Sequence, residues 1–84
     1  GSPAMLNVVC RDIHRMVSLG EVQYAREHPM TEEHHIAWIA VETKNGSQIK
    51  YLDHTGAPKV EFALGGEDVE AVYAYCNLHG LWKA

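Results

Sequence analysis

The sequence predicts an antiparallel all-β fold for this 84-residue chain, and three observations support the prediction. Short apolar runs are separated by turn-forming residues at regular intervals, which is typical of a small sandwich or barrel. Asn45-Gly46 is a dipeptide suited to the positive backbone angles of a type I′ hairpin turn. The apolar segment over residues 69–75 is rich in valine and tyrosine, which favour strands.

Four strands are predicted between residues 6 and 52. Residues 6–9 and 22–24 are predicted to be strands, and Gly20 marks a turn before the second of them. Residues 36–42 and 48–52 follow as two strands, which Asn45-Gly46 is predicted to connect into a hairpin.

The second half of the chain alternates more clearly. A polar loop over residues 53–58 leads into residues 59–64, where Val60, Phe62 and Leu64 occupy every second position. This alternation predicts a half-buried strand. A turn at residues 65–68 then precedes the last predicted strand, which leads into Cys76.

Two segments also fit a helix. Val69, Val72, Tyr73 and Cys76 recur at helical spacing, and residues 31–38 have a composition that a helix tolerates. Periodicity alone therefore leaves a mixed α+β fold open.

The chain length predicts a single domain, because a chain this short has too little core for a second one. Residues 1–4, Gly-Ser-Pro-Ala, are expected to be a cloning scar ahead of Met5, so the predicted domain spans residues 5–84. No apolar run approaches the length of a membrane span, and no segment resembles a secretion signal.

Charge and cysteine content narrow the classes of partner and compartment. The formal net charge of −4, from 7 basic and 11 acidic residues, disfavours binding to nucleic acid or to anionic membranes. Cys10 and Cys76 could form one disulfide, but Cys76 lies in a metal-binding pattern that a disulfide would disable. We therefore predict that both are reduced and that the protein is cytoplasmic.

Two short segments combine residues that bind metals. Cys76 and His79 are separated by two residues, so both can bind one ion from a single turn. His28 and His34 flank a loop that contains Pro29. If the two segments converge, a thiolate and three imidazoles can hold a redox metal, although spacing alone makes structural zinc the default ion.

The same two segments resemble the iron-binding motifs of the superoxide reductases, the family that includes neelaredoxin and the catalytic domain of desulfoferrodoxin. The family patterns are His-x-Met-x-x-x-His, followed by an aromatic residue, Ile, x, Trp and Ile, and later Cys-Asn-x-His-Gly-Leu-Trp. This chain has HPMTEEHHIAWI and CNLHGLWK, with His35 in the aromatic position. The resemblance covers residues 27–83, and it favours an immunoglobulin-like antiparallel β-sandwich over the mixed fold.

The resemblance also implies a function and a cofactor. Family members reduce superoxide by one electron to hydrogen peroxide at a mononuclear non-haem iron, and a small protein such as rubredoxin supplies the electron. Four equatorial histidines and an axial cysteine hold the iron, and its sixth position faces solvent. Transferred to this chain, the resemblance makes Cys76 the axial ligand and three histidines equatorial ligands: His28, His34 and His79. The oligomeric state is not fixed by the sequence, and a homo-oligomer stays open.

The fourth equatorial histidine is the weakest part of the resemblance. The family takes it from a Glu-Lys-His tripeptide, whose lysine attracts superoxide, whereas this chain has Asp12-Ile13-His14. His14 is the candidate ligand, and a plain surface role for it stays open. The missing positive charge could come from one of three residues: Arg11, Arg15 or Lys83.

Several other residues are predicted to have ordinary roles. His35 and His54 are predicted not to bind metal, and Glu32-Glu33 is predicted to be a solvated pair. Three large aromatic residues are predicted to line the core or a pocket: Trp38, Phe62 and Trp82.

Two alternative functions stay open. The first is a non-enzymatic β-sandwich that keeps part of a metal site. The second is an interaction module in which the same four ligands hold zinc in tetrahedral geometry.

Overall fold

The computed structural model describes residues 4–11, 15–18 and 27–83, and these residues contain strands but no helix. In chain order the strands are β1 (Met5–Arg11), β2 (Arg15–Ser18), β3 (Ile36–Thr43), β4 (Gly46–Tyr51), β5 (Lys59–Ala63), β6 (Val69–Cys76) and β7 (Gly80–Lys83). The described part of the chain therefore has no helix that could cross a membrane. The all-β prediction is confirmed, and both helical alternatives are wrong.

The strands form two antiparallel sheets. One sheet has the order β2-β1-β5 and the other has the order β4-β3-β6-β7. Apolar side chains from both sheets meet in one buried cluster between them, as expected for a sandwich. The buried members are Val8, Cys10, Ile36, Ile39, Val41, Phe62, Leu64, Ala74 and Cys76.

The alternation over residues 59–64 was predicted correctly. Phe62 is fully buried and Leu64 is nearly so, whereas Lys59, Glu61 and Ala63 are exposed. Two side chains of β4 also join the sheets at this strand, because Gln48 Nε2 and Lys50 Nζ donate hydrogen bonds to backbone oxygens of β5. Ala4, in the presumed scar, accepts a hydrogen bond from Leu64 N at 2.7 Å.

The predicted β3–β4 hairpin is present, but its turn is shifted by one residue. Thr43 pairs with Gly46, so the two turn residues are Lys44 and Asn45 rather than Asn45 and Gly46. The buried face of β3 explains the shift. Thr43 stays buried in line with Val41, and its hydroxyl donates to the Gly46 carbonyl at 3.1 Å.

Two short strands were missed from the sequence, and one predicted strand lies outside the described residues. β2 and β7 have only four residues each, so they offer too few positions for a periodic signal. The predicted strand at residues 22–24 and the turn at Gly20 cannot be compared, because residues 19–26 are outside the described part.

Trp38 was predicted to line the core or a pocket, but it lies elsewhere. In the strand register it lies between Tyr51 and Tyr75, on the outer face of the four-stranded sheet, and its ring stacks on Tyr75 at 5.8 Å. The bulge after Ile36 shifts the register, and Ile39 takes the inward position. Phe62 is in the core as predicted.

Candidate metal centre

The first ligand-bearing segment is attached to the three-stranded sheet. His28 N donates to the carbonyl of Cys10, in β1, at 2.9 Å, and the preceding Glu27 forms a bridge with Arg11. The His28 ring is also held, because its Nδ1 lies 2.8 Å from the carbonyl of Pro29. With Nδ1 donating to that carbonyl, the Nε2 lone pair is available to a metal.

A tight turn then places His34. Thr31 N donates to the His34 carbonyl at 2.9 Å, and His34 N donates back to Thr31 Oγ1 at 3.0 Å. A threonine hydroxyl that binds a nearby backbone amide is a common way to close such a turn. The turn brings the His34 ring to 4.6 Å from the His28 ring, measured between centroids.

The second segment is the turn between β6 and β7. Cys76 pairs with Gly80, and Gly80 adopts a φ of 86°, a left-handed conformation that glycine accepts without strain. The turn returns His79 towards Cys76, so that His79 Nδ1 lies 3.6 Å from Cys76 Sγ.

Four predicted ligands converge at this end of the sandwich. Cys76 Sγ lies 3.7 Å from His28 Nε2, and the ligand atoms of the four residues all lie within 4.8 Å of one another. Metal–ligand bonds of about 2.0–2.3 Å place two ligands of one ion roughly 3–4.6 Å apart. One thiolate and three imidazoles therefore fit a single iron or zinc ion. The members of the cluster are His28, His34, Cys76 and His79.

The cluster has a buried side and an exposed side. Cys76 is fully buried and His28 is 2% exposed, whereas His34 is half-buried and His79 is exposed. The Trp82 ring lies 5.5 Å from the His28 ring and shields the buried side. Apolar surroundings limit water access to a metal–thiolate bond. Of the four residues in the cluster, His79 is the one classed as exposed.

Cys10 lies in the core but not in the cluster. Burial, together with a smaller contribution from the nearby Cys76, raises the pKa of the Cys10 thiol from 9.0 to about 12. Both cysteines are free thiols. Cys10 therefore stays protonated at neutral pH and contributes its backbone carbonyl, rather than its sulfur, to the site.

The other predicted residues are placed as follows. His14 lies outside the described residues. His35 is not in the cluster. Its Nδ1 is hydrogen-bonded to the Thr31 carbonyl at 2.8 Å, and its ring centroid lies 5.8 Å from that of His54. Lys83 lies over the Tyr73 ring, with Nζ 5.9 Å from the centroid.

Sequence reasoning missed the residues that hold the ligand segments. Thr31 closes the His34 turn, and Asn77 bonds to both neighbours of His34. Asn77 lies directly after a candidate ligand and within the Cys-Asn-x-His-Gly motif, but neither signal predicts its contacts with the His34 segment.

Comparison with known proteins now identifies the family. The desulfoferrodoxin family model matches residues 11–84. The chain belongs to the desulfoferrodoxin family. It is 46% identical over 57 residues to desulfoferrodoxin of Nitratidesulfovibrio vulgaris, covering 68% of this chain and 44% of that protein. It is 35% identical over 78 residues to superoxide reductase of Thermococcus kodakarensis, covering 75% of this chain and 68% of that protein.

A solved structure supports the same family assignment. The crystal structure of the superoxide reductase from Treponema pallidum matches with a TM-score of 0.66 and 49% identity, covering 69% of this chain and 48% of that chain. This chain spans about half the length of the desulfoferrodoxins that it matches.

Proposed function

We propose that this desulfoferrodoxin-family chain reduces superoxide to hydrogen peroxide at one non-haem iron ion. The observation that carries the proposal is the cluster itself, in which a buried cysteine sulfur lies beside three imidazoles, one of them exposed. The ligands are four of the predicted residues: His28, His34, Cys76 and His79. The superoxide reductases among the relatives support this reaction class.

When bound, iron supplies the redox couple that gives one electron to superoxide, and two protons complete hydrogen peroxide. The chain's own residues prepare the site. The Pro29 carbonyl fixes the tautomer of His28, and the apolar core around Cys76 keeps its sulfur away from water. His79, on the exposed side, leaves an approach for a small anion and for protons from solvent. A small one-electron donor protein such as rubredoxin restores the reduced site.

The product ratio tests the proposal. The full chain would be loaded with Fe(II) without oxygen and then mixed with less than one equivalent of superoxide per iron, so that each superoxide takes its electron from one Fe(II). A reductase gives one hydrogen peroxide for each superoxide and no oxygen, whereas a dismutase gives half as much peroxide together with oxygen. The zinc-loaded chain is the matched control and should not speed the decay of superoxide beyond its spontaneous dismutation. An iron-loaded chain that does not react would contradict the proposal.

A structural zinc site is the second candidate, and the spacing of the donor atoms favours it. Tetrahedral zinc with bonds of about 2.0 and 2.3 Å would place sulfur and nitrogen roughly 3.5 Å apart, close to the 3.6 and 3.7 Å seen between Cys76 Sγ and two imidazoles. The four described donors also complete this set without His14. Metal analysis after expression with both metals present, together with visible absorption, separates the candidates, because a ferric thiolate is coloured and zinc is not.

A further inference from the structure

Asn77 connects the two ligand-bearing segments through three hydrogen bonds. Its Oδ1 accepts from His35 N at 2.8 Å, and its Nδ2 donates to the Glu33 carbonyl at 2.9 Å. Its backbone N donates to the His35 carbonyl at 3.1 Å. These partners lie more than forty residues away in the sequence, at separations of 42 and 44.

The partners of Asn77 flank one ligand, and Asn77 itself follows another. Glu33 and His35 are the chain neighbours of His34, while Asn77 is bonded to Cys76. The planar Asn77 amide forms hydrogen bonds with both neighbours of His34, and it therefore constrains the distance between the His34 backbone and the Cys76 backbone.

The strand pairing alone does not fix this distance. β3 and β6 begin to pair at Ile36 and Cys76, but the register shifts between Ile36 and Trp38. A bulge of this kind bends the strand and interrupts the ladder locally. The contacts of Asn77 connect the segment before β3 to the segment after β6, beyond the irregular end of the ladder.

The chemistry of the side chain matches this task. Asparagine offers an acceptor and a donor on one short, rigid group, and both are used here. Aspartate keeps the acceptor, but when ionised it has no donor for the Glu33 carbonyl. Asn77 is exposed, so water competes for its hydrogen bonds and they add little to the free energy of unfolding. Their main effect is on the geometry of the two segments that they join.

We propose that Asn77 is a positioning residue that holds His34 and Cys76 at the separation required to bind one metal ion. Residues that orient metal ligands typically contribute about 10–100-fold to metal affinity. The choice of iron as the natural metal rests on the proposed function, whereas the positioning role applies equally to zinc.

Zinc competition with a coloured chelator provides the test, and the full chain is used throughout. Asn77→Ala should weaken Zn²⁺ binding by about 10–100-fold, and Asn77→Asp should weaken it as well. Leu78→Ala is the matched control, since Leu78 lies in the same turn with its side chain 61% exposed. We expect this control to bind Zn²⁺ as the unmodified chain does.

A second measurement separates positioning from a general loss of stability. The melting temperature of each variant would be recorded without metal and with saturating Zn²⁺. If Asn77 positions the ligands, the rise caused by zinc should be smaller in Asn77→Ala than in the unmodified chain. An equal rise, or an unchanged zinc affinity in either Asn77 variant, would overturn the proposal.

The affinity measurement also distinguishes this proposal from the proposed function. If the unmodified chain binds zinc through Asn77-dependent geometry but its iron form does not reduce superoxide, only the proposed function fails. If the iron form is active and Asn77→Ala binds zinc normally, only the positioning role fails.

Discussion

At the residue scale, the two cysteines share deep burial but differ in their neighbours. Cys76 Sγ has two imidazole nitrogens within 3.7 Å, whereas Cys10 is not part of the four-residue cluster. We predict that Cys76→Ser abolishes the visible charge-transfer band and superoxide reduction, because a hydroxyl is not a soft anionic ligand. The control, Cys10→Ala, should keep both. Absorption spectra and peroxide yield measure the difference, and a coloured, active Cys76→Ser protein would contradict the assignment.

The Cys10 thiol should be chemically inert in the folded protein. It is fully buried, and its pKa of about 12 leaves little thiolate at pH 8. In the Cys76→Ser background, where Cys10 is the only cysteine, iodoacetamide should label the native chain very slowly. It should label the chain completely in denaturant, as mass spectrometry would show. Rapid labelling of the native chain would mean that this part of the core opens readily.

At the element scale, the β6–β7 turn depends on Gly80. Its φ of 86° is unfavourable for other residues, and no atom lies within 4 Å of an added Cβ, so the cost of a substitution lies in the backbone. Gly80→Ala should lower the free energy of unfolding by about 1–2 kcal/mol. Gly80→Asn should be milder, since asparagine tolerates this conformation better.

Gly56→Ala is the control for that prediction. Gly56 is not in the left-handed region, and its added Cβ would meet Asp53 O at an ordinary 3.5 Å. Denaturant unfolding should therefore show little loss for this variant. Equal losses at both glycines would argue against backbone strain as the cause.

At the scale of the whole molecule, a bound metal would join the two sheets. His28 is attached to β1 in one sheet, whereas Cys76 and His79 lie at the β6–β7 turn of the other. His28 and Cys76 are 48 residues apart, so the ion would close a long loop in a small domain. A metal present at 100 times its Kd raises the free energy of unfolding by about 2.7 kcal/mol. Chelation should therefore lower the melting temperature by roughly 10–20 °C, and an unchanged melting curve in verified metal-free protein would contradict the site.

The charge of the molecule predicts how superoxide reaches the site. The chain carries a formal charge of −4, and Glu32 and Glu33 are exposed beside His34. Without the family's lysine, capture of the anion should be slow and should stay flat or rise with ionic strength. Pulse radiolysis of the iron form would measure this. Lys83→Gln should change little, because Lys83 lies over Tyr73; a rate that falls steeply with salt would point to Arg11 or Arg15.

The all-β class and all four residues of the cluster could be predicted from the sequence. Alternation over residues 59–64 and the turn residues between apolar runs report local burial and local backbone angles, which depend on near neighbours. The motif spacings likewise identified His28, His34, Cys76 and His79 without any coordinates. His14 is the ligand prediction that lies outside the described residues.

The hairpin register, the outward position of Trp38 and the contacts of Asn77 follow from tertiary packing. The hairpin register depends on which residues of β3 are buried. Thr43 is buried and pairs with Gly46, so the turn falls at Lys44-Asn45, although the local sequence favours a turn at Asn45-Gly46. The contacts of Asn77 join atoms 42 and 44 residues apart. No local pattern encodes such contacts, because they form only when two distant segments are brought together by the packing of the sheets.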